Sequence, residues 1–239
     1  MRPIAVFRFS PTEGPAYFAE WLDAHGFEWK LVALDAGATV PVDPRAFAGI
    51  GMMGGPMSVN DALAWTAPLA ALLRDAVDAR VPVLGHCLGG QMFAQALGAP
   101  VTRTPTPEIG WQQVSVSSDA ARDGWFGGRE SFDAFQWHYD VFALPPGATR
   151  VLTNPFNANQ AYVVDDRHIG FQCHIEMTRE LIETWCATGE REIEESVGTS
   201  PAVQRAGEMT LGVDDKVASL HALADRVYSE WIKGLKSVG

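Results

Sequence analysis

Three residues of this chain have the types and spacing for nucleophilic acyl transfer: Cys87, His174 and Glu176. Cys87 stands among glycines in Gly85-His86-Cys87-Leu88-Gly89-Gly90-Gln91. The preceding run, Val81-Pro82-Val83-Leu84, has the signature of a short buried strand, and Gln91 to Leu97 reads as a helix ended by Gly98. A strand that turns sharply into a helix with one reactive side chain at the turn is a nucleophile elbow, here with sulfur in place of a hydroxyl. Unpaired N–H groups and the positive dipole end at the helix start favour thiolate over thiol. A thiolate mechanism also needs a base for the cysteine proton and a carboxylate to orient that base. In Phe171-Gln172-Cys173-His174-Ile175-Glu176, an extended backbone puts His174 and Glu176 on one side and Ile175 on the other. Each half has a plainer reading by itself: an intracellular cysteine is usually a small buried apolar group, and His-x-Glu can be two polar residues at a strand end. Together they supply nucleophile, base and orienting acid.

The elements that must position these groups follow a βαβ rhythm. Strands are expected at Ile4 to Phe9, Trp29 to Leu34 and Ile50 to Met53, with a helix near Pro15 to His25 closed by Gly26. A further helix carries Leu69, Leu72, Leu73, Ala76 and Val77 on one stripe. This alternation predicts an α/β fold with a mostly parallel sheet, whose strand carboxyl ends share the edge where such folds bind ligands. Cys87 and the loop Gly54-Gly55-Pro56-Met57-Ser58 both fall on that edge. From Val101 to Gln172 the strand candidates are shorter: Trp111 to Ser117, Phe132 to Trp137, Arg150 to Thr153, and a hairpin of Ala161 to Val164 with Ile169 to Cys173. Mixed or antiparallel pairing is expected there. After Thr178 the pattern is helical, ending in an amphipathic stripe of Val217, Leu220, Leu223, Val227, Trp231 and Leu235. The acidic stretch Glu190 to Glu195 reads as a solvated helix face.

The 239 residues suffice for one large domain. With 18 basic and 29 acidic residues, the net charge of −11 disfavours nucleic acid or an anionic membrane as main partner. The cysteines, Cys87, Cys173 and Cys186, are an odd and sparse set, which points to a reducing compartment, the cytoplasm. The N-terminal apolar stretch is too short for a signal peptide, and no run approaches the ~20 apolar residues of a membrane helix. Cys173 and His174 are adjacent and so point apart on a strand, so no metal site is expected. Without a G-x-x-x-x-G-K-[ST] sequence, Gly54-Gly55-Pro56 does not read as a phosphate loop, and no cofactor is expected.

The chain resembles the class I glutamine amidotransferases over roughly residues 4 to 188. The motifs that carry the resemblance are Gly54-Gly55-Pro56-Met57-Ser58, the Cys87 elbow, Glu108-Ile109-Gly110-Trp111, Trp137-His138-Tyr139-Asp140 and His174-Ile175-Glu176. It is similar to the stand-alone group related to the amidotransferase domain of GMP synthase. The resemblance implies a three-layer, flavodoxin-like fold with a mostly parallel mixed central sheet. It makes residues 1–188 the amidotransferase domain and 189–239 a helical extension packed on it. It implies hydrolysis of the glutamine side-chain amide through a γ-glutamyl thioester on Cys87, with His174 as acid and base, Glu176 orienting it, and ammonia released. Gly55 and Leu88 would supply the oxyanion N–H groups. Gln91 would contact the side-chain end of the substrate, and the backbone of Trp137, His138 and Tyr139 its α-amino and α-carboxylate groups. The His138 side chain itself reads as structural.

Two positions depart from the family pattern: Ile175 stands where proline is frequent, and His86 where an apolar residue is common. Neither removes a catalytic group, although His86 bears on the pH optimum. The implied partners are glutamine or another γ-glutamyl small molecule and a separate ammonia-accepting synthase, because the about 50 residues after Thr188 are too few for a nucleotide domain. Two other readings stand beside this one. A γ-glutamyl peptidase would cleave a small γ-glutamyl conjugate, and pocket width near Met57, Trp111 and Tyr139 would discriminate it. A non-catalytic domain would use Cys87 as a redox sensor or a partner surface, although such relatives generally lack the terminal His-x-Glu.

Overall fold

A computed structural model describes residues 2–117 and 119–237. The first half alternates as read: β1 (Ile4–Arg8), α1 (Ala16–Ala24), β2 (Trp29–Ala33), β3 (Gly49–Met52), α2 (Thr66–Asp78), β4 (Val83–His86) and α3 (Leu88–Ala96). The second half contributes β5 (Val101–Val116), α4 (Asp119–Gly124), β6 (Ser131–Phe142), β7 (Thr149–Thr153), β8 (Ala161–Val164) and β9 (His168–Phe171). Four helices follow, α5 (Arg179–Thr188), α6 (Glu190–Ser196), α7 (Ala206–Thr210) and α8 (Val213–Trp231).

The strands form one nine-stranded sheet in the order β2-β1-β3-β4-β9-β8-β7-β5-β6. Pairing is parallel from β2 through β9 and antiparallel from β9 through β6. Followed pair by pair, only β5 and β8 run against the other strands. The β4 strand lies beside β9, so the two chemistry-bearing segments leave the sheet from neighbouring strands on one edge.

Alternation within the strands builds two cores. In β1, Ile4 and Val6 face the layer of α1, α5 and α8, whereas Ala5 and Phe7 face α2 and α3. Strands buried on both faces need continuous apolar runs, which is what Ile4 to Phe7 of β1 and all of β8 have. Eight side chains of α8, from Val213 to Trp231, are buried. The C-terminal segment also adds backbone bonds along β5: Ile109 N–H donates to Ala202 O at 3.0 Å and Gln204 N–H to Ile109 O at 2.9 Å. Among the described residues no helix is long and apolar enough to cross a membrane.

Three expectations need correction. The strand read at Trp111 to Ser117 is the second half of β5, which begins ten residues earlier, at Val101. Pro105 and Pro107 masked its start. They lie where the β5–β6 register slips between Arg103 and Glu108, an irregular stretch that tolerates residues without an N–H. The β9 strand ends at Phe171 rather than Cys173. His174 and Glu176 therefore sit on an irregular segment, pinned where His174 N–H donates to Phe135 O at 2.8 Å. Finally, the acidic stretch is not solvated throughout: Glu190, Glu194 and Glu195 are exposed, but Glu192 turns inward and accepts from Trp137 Nε1 at 2.9 Å.

Candidate active site

The elbow is explained by three close approaches. Cys87 has φ 46° and ψ −106°, a conformation that L residues adopt only when the surroundings impose it. A side chain at Gly85 would meet the Gly89 carbonyl carbon at 2.5 Å, one at Gly89 would meet Met52 Cβ at 2.6 Å, and one at Gly90 would meet Phe171 O at 2.2 Å. Small residues thus let the turn fold back between β3 and β9, with Cys87 at the head of α3. The thiol is 6 % exposed. Its Sγ lies 3.8 Å from both the Trp137 carbonyl and Gln172 Nε2. Gln172 is fully buried and was not singled out by sequence reasoning.

His174 Nδ1 lies 2.7 Å from Glu176 Oε1, both side chains being buried. Burial alone would depress the imidazole, but the Glu176 charge, the adjacent Cys87 and the bond to Glu176 lift it well above the ordinary histidine range. Burial likewise pushes the Glu176 carboxyl up, and the His86 and His174 side chains outweigh it and hold it low. His174 Nε2, the nitrogen opposite the carboxylate, has no hydrogen-bond partner among the described residues. The ring packs edge-on against Trp185, with centroids 5.0 Å apart. His86 points away from the cavities: it is fully buried, with Nε2 3.6 Å from Glu176 Oε2 and 3.3 Å from the Tyr228 hydroxyl. Burial pulls its pKa below the ordinary histidine value, against the opposing pull of Glu176.

Two cavities meet at Cys87, sharing Gly55, Pro56, Cys87 and Trp137 as a common waist. The smaller, of about 140 Å³, is lined by Met57, Ser58, Gln91, Arg103, His138, Tyr139 and Asp140. The larger, of about 220 Å³, is lined by Thr12, Glu13, Trp185, Thr188, Gly189 and Glu192. Gly55 packs directly on Leu88, since a side chain there would meet Leu88 Cδ2 at 2.6 Å. Gln91 Nε2 donates to Asp140 O at 2.9 Å and to Gln172 Oε1 at 3.3 Å, which fixes its amide. His138 backs onto a buried carboxylate, its Nε2 3.4 Å from Glu108 Oε1. Of the residues singled out in the sequence for this site, Gly55, Met57, Gln91, Trp137, His138 and Tyr139 line the cavities with Cys87, and Leu88 follows it at the head of α3. Trp111 does not line them: it is buried elsewhere, its Nε1 donating to Met209 O at 2.9 Å.

With this geometry in view, the sequence profile of the family described as glutamine amidotransferase class-I matches residues 19–184. The chain belongs to the class I glutamine amidotransferases. A crystal structure of a glutamine amidotransferase from Methylobacillus flagellatus is 42 % identical and superposes with a TM-score of 0.95, over 98 % of this chain and 95 % of that one. The glutamine amidotransferase-like protein YfeJ of Salmonella typhimurium is 27 % identical over 194 residues, 78 % of this chain and 80 % of its own. The GMP synthase [glutamine-hydrolyzing] of Aeropyrum pernix is 30 % identical over 213 residues, 79 % of this chain but only 40 % of its own length. This amidotransferase therefore spans less than half of that relative.

Sequence reasoning missed Glu13, Arg103, Gln172, Thr188 and Glu192 as site residues. Glu13 precedes the first helix in a loop with no motif, and Glu192 was submerged in a run of like charges. Burial raises the Glu13 carboxyl to about 7, with the charge of His174 opposing and those of Glu176 and Glu192 adding to the rise.

Proposed function

We propose that this amidotransferase hydrolyses a γ-glutamyl amide, with glutamine as the substrate the family supplies, through a thioester on Cys87. The observation that supports it most is the 2.7 Å contact of His174 Nδ1 with Glu176 Oε1, beside a cysteine held in a strained elbow. Cys87 Sγ attacks the amide carbon, and the oxygen that becomes negative accepts from the Gly55 and Leu88 N–H groups. Losing one such donor typically costs ~3 kcal/mol of barrier lowering. His174 Nε2 gives its proton to the departing nitrogen as the C–N bond breaks. It then takes a proton from water, which attacks the thioester, releases glutamate and restores the thiol. Glu176 fixes the ring's tautomer and stabilises the imidazolium.

The smaller cavity suits the γ-glutamyl group. Gln91 and the backbone of Trp137 to Tyr139 line it, and Arg103 and Asp140 place one cation and one anion there, matching an α-carboxylate and an α-ammonium. The similarity to GMP synthase supports transfer of the released ammonia to a separate synthase chain. The test is glutamine hydrolysis by the full chain: His174→Ala lowers kcat by about 100-fold or more, the usual worth of a general acid and base. Equal rates in wild type and variant would reject the assignment.

A further inference from the structure

We propose that the larger cavity is a leaving-group subsite for a cationic amine, making γ-glutamyl amides of diamines or polyamines substrates of this enzyme. The inference rests on the acyl-transfer reading above. A substrate bound at a nucleophile extends both ways from the attacked carbon, and here one cavity opens on each side of Cys87. The smaller already holds charges suited to the α-groups of the acyl half. The larger adjoins the acid that protonates the departing nitrogen. A side chain at Gly54 would meet Glu13 Oε2 at 2.5 Å and His174 Cε1 at 2.9 Å, so the Glu13 carboxylate and the imidazole edge converge on one spot. His174 Nε2, bonded to that Cε1, is in a ring 1 % exposed and has no hydrogen-bond partner among the described residues.

Size and charge then say what departs. About 220 Å³ is several times the ~30 Å³ of a water-sized molecule such as ammonia. The lining carries two carboxylates, Glu13 and Glu192, and no Lys or Arg among the described residues. Glu192 is held in place by the Trp137 N–H on its Oε1. Glu13 is largely desolvated, with the charge of His174 opposing the rise of its carboxyl, and a bound ammonium favours its ionised form in the same way. Trp137 and Trp185, ring centroids 5.8 Å apart and nearly perpendicular, give the same cavity aromatic walls for a methylene chain and its ammonium. In the reaction the thioester forms and the γ-carbonyl C–N bond breaks. His174 supplies the proton to the departing nitrogen, and the distal ammonium stays charged against Glu13 and Glu192 throughout.

The test compares, for the full chain, the γ-glutamyl amide of 1,4-diaminobutane with its neutral isostere, the γ-glutamyl amide of pentylamine. The expected kcat/KM ratio favours the cationic amide by about tenfold or more. Glu13→Gln and Glu192→Gln each lower that ratio about threefold or more, and the double variant brings it near one. The Gln at 192 keeps an oxygen for the Trp137 N–H, and the ratio within one variant is insensitive to how much of it is folded. Glutamine hydrolysis and the Cys87 thioester are followed in the same preparations. Glutamine turnover with a wild-type ratio near one, with neither amide cleaved, or with an unchanged ratio in the double variant overturns the subsite alone. Absence of turnover and of thioester with every γ-glutamyl compound overturns the acyl-transfer reading and the subsite with it.

Discussion

His86 Nε2 lies 3.6 Å from Glu176 Oε2, on the oxygen that His174 does not use. The carboxylate beside the imidazole is thus flanked by a second histidine, itself braced by the Tyr228 hydroxyl from α8. His86 contacts Glu176 rather than the thiol that follows it in sequence, and is expected to act as a positioning residue. Replacing it by Phe removes the imidazole nitrogen beside Glu176 Oε2, an oxygen with no hydrogen-bond partner among the described residues. His86→Phe is expected to lower kcat by about tenfold and to lower the pKa of the basic limb in the kcat–pH profile, while His86→Gln restores most of both. A pH–rate series on the three proteins measures this; overlapping profiles would show that His86 only fills space.

The elbow glycines have no room to change. Gly90→Ala drives a methyl to within 2.2 Å of Phe171 O, and Gly89→Ala puts one 2.7 Å from Met52 O. Both neighbours are strand backbone, so each substitution is expected to cost about 3 kcal/mol or more, at the upper end of overpacking. Gly207→Ala, at an exposed position of α7 with nothing near its added methyl, is expected to be neutral or to stabilise by about 0.5–1 kcal/mol. Chemical denaturation of the three variants decides the matter.

How much of this was legible in the sequence depended on whether local pattern or tertiary context set each residue's place. The parallel half followed from short apolar runs alternating with helical stripes, and β8 begins and ends where the sequence placed it, at Ala161 and Val164. Cys87 was legible because glycines mark a turn whatever packs around it. Glu13 and Glu192 were not, because nothing local distinguishes a carboxylate that lines a cavity from one in water. The long hairpin of β5 and β6 was hidden by Pro105 and Pro107, whose ordinary meaning is the end of a strand. Trp111 was misplaced for the converse reason: a motif position does not say which face of a twisted strand meets the site.

Among three buried cysteines only Cys87 borders the cavities. Burial, with nearby carboxylates adding, pushes the Cys173 thiol well up, and burial raises that of Cys186 as well. At pH 7.5 iodoacetamide is expected to label Cys87 at least about tenfold faster than either, following thiolate character and access. Peptide mapping of a labelling time course reads the ratio. Equal rates in the folded protein would contradict an activated thiol.

His168 gives a stability prediction remote from the site. Its Nδ1 accepts from Val83 N–H at 3.2 Å, and burial lowers the ring to about 4 from 6.5. The folded state then binds fewer protons than the unfolded state between those values. This stabilising contribution is present above pH 6.5 and is lost as pH falls toward 4, about 3 kcal/mol in all. His168→Asn, whose amide oxygen can accept the same N–H, is expected to lose less stability between pH 7.5 and 5 than wild type does. Urea denaturation at both pH values measures the difference; identical losses would show that His168 does not titrate as described.

The central claim is that Cys87 carries the acyl group. Full-length protein is mixed with glutamine or a γ-glutamyl amide, quenched in acid within a single turnover and analysed by intact and peptide mass spectrometry. A mass increase of one γ-glutamyl acyl group is expected on the Cys87 peptide, released by hydroxylamine and absent from Cys87→Ser. If the compounds are hydrolysed with no adduct on Cys87, or Cys87→Ser turns them over at the wild-type rate, the account is wrong.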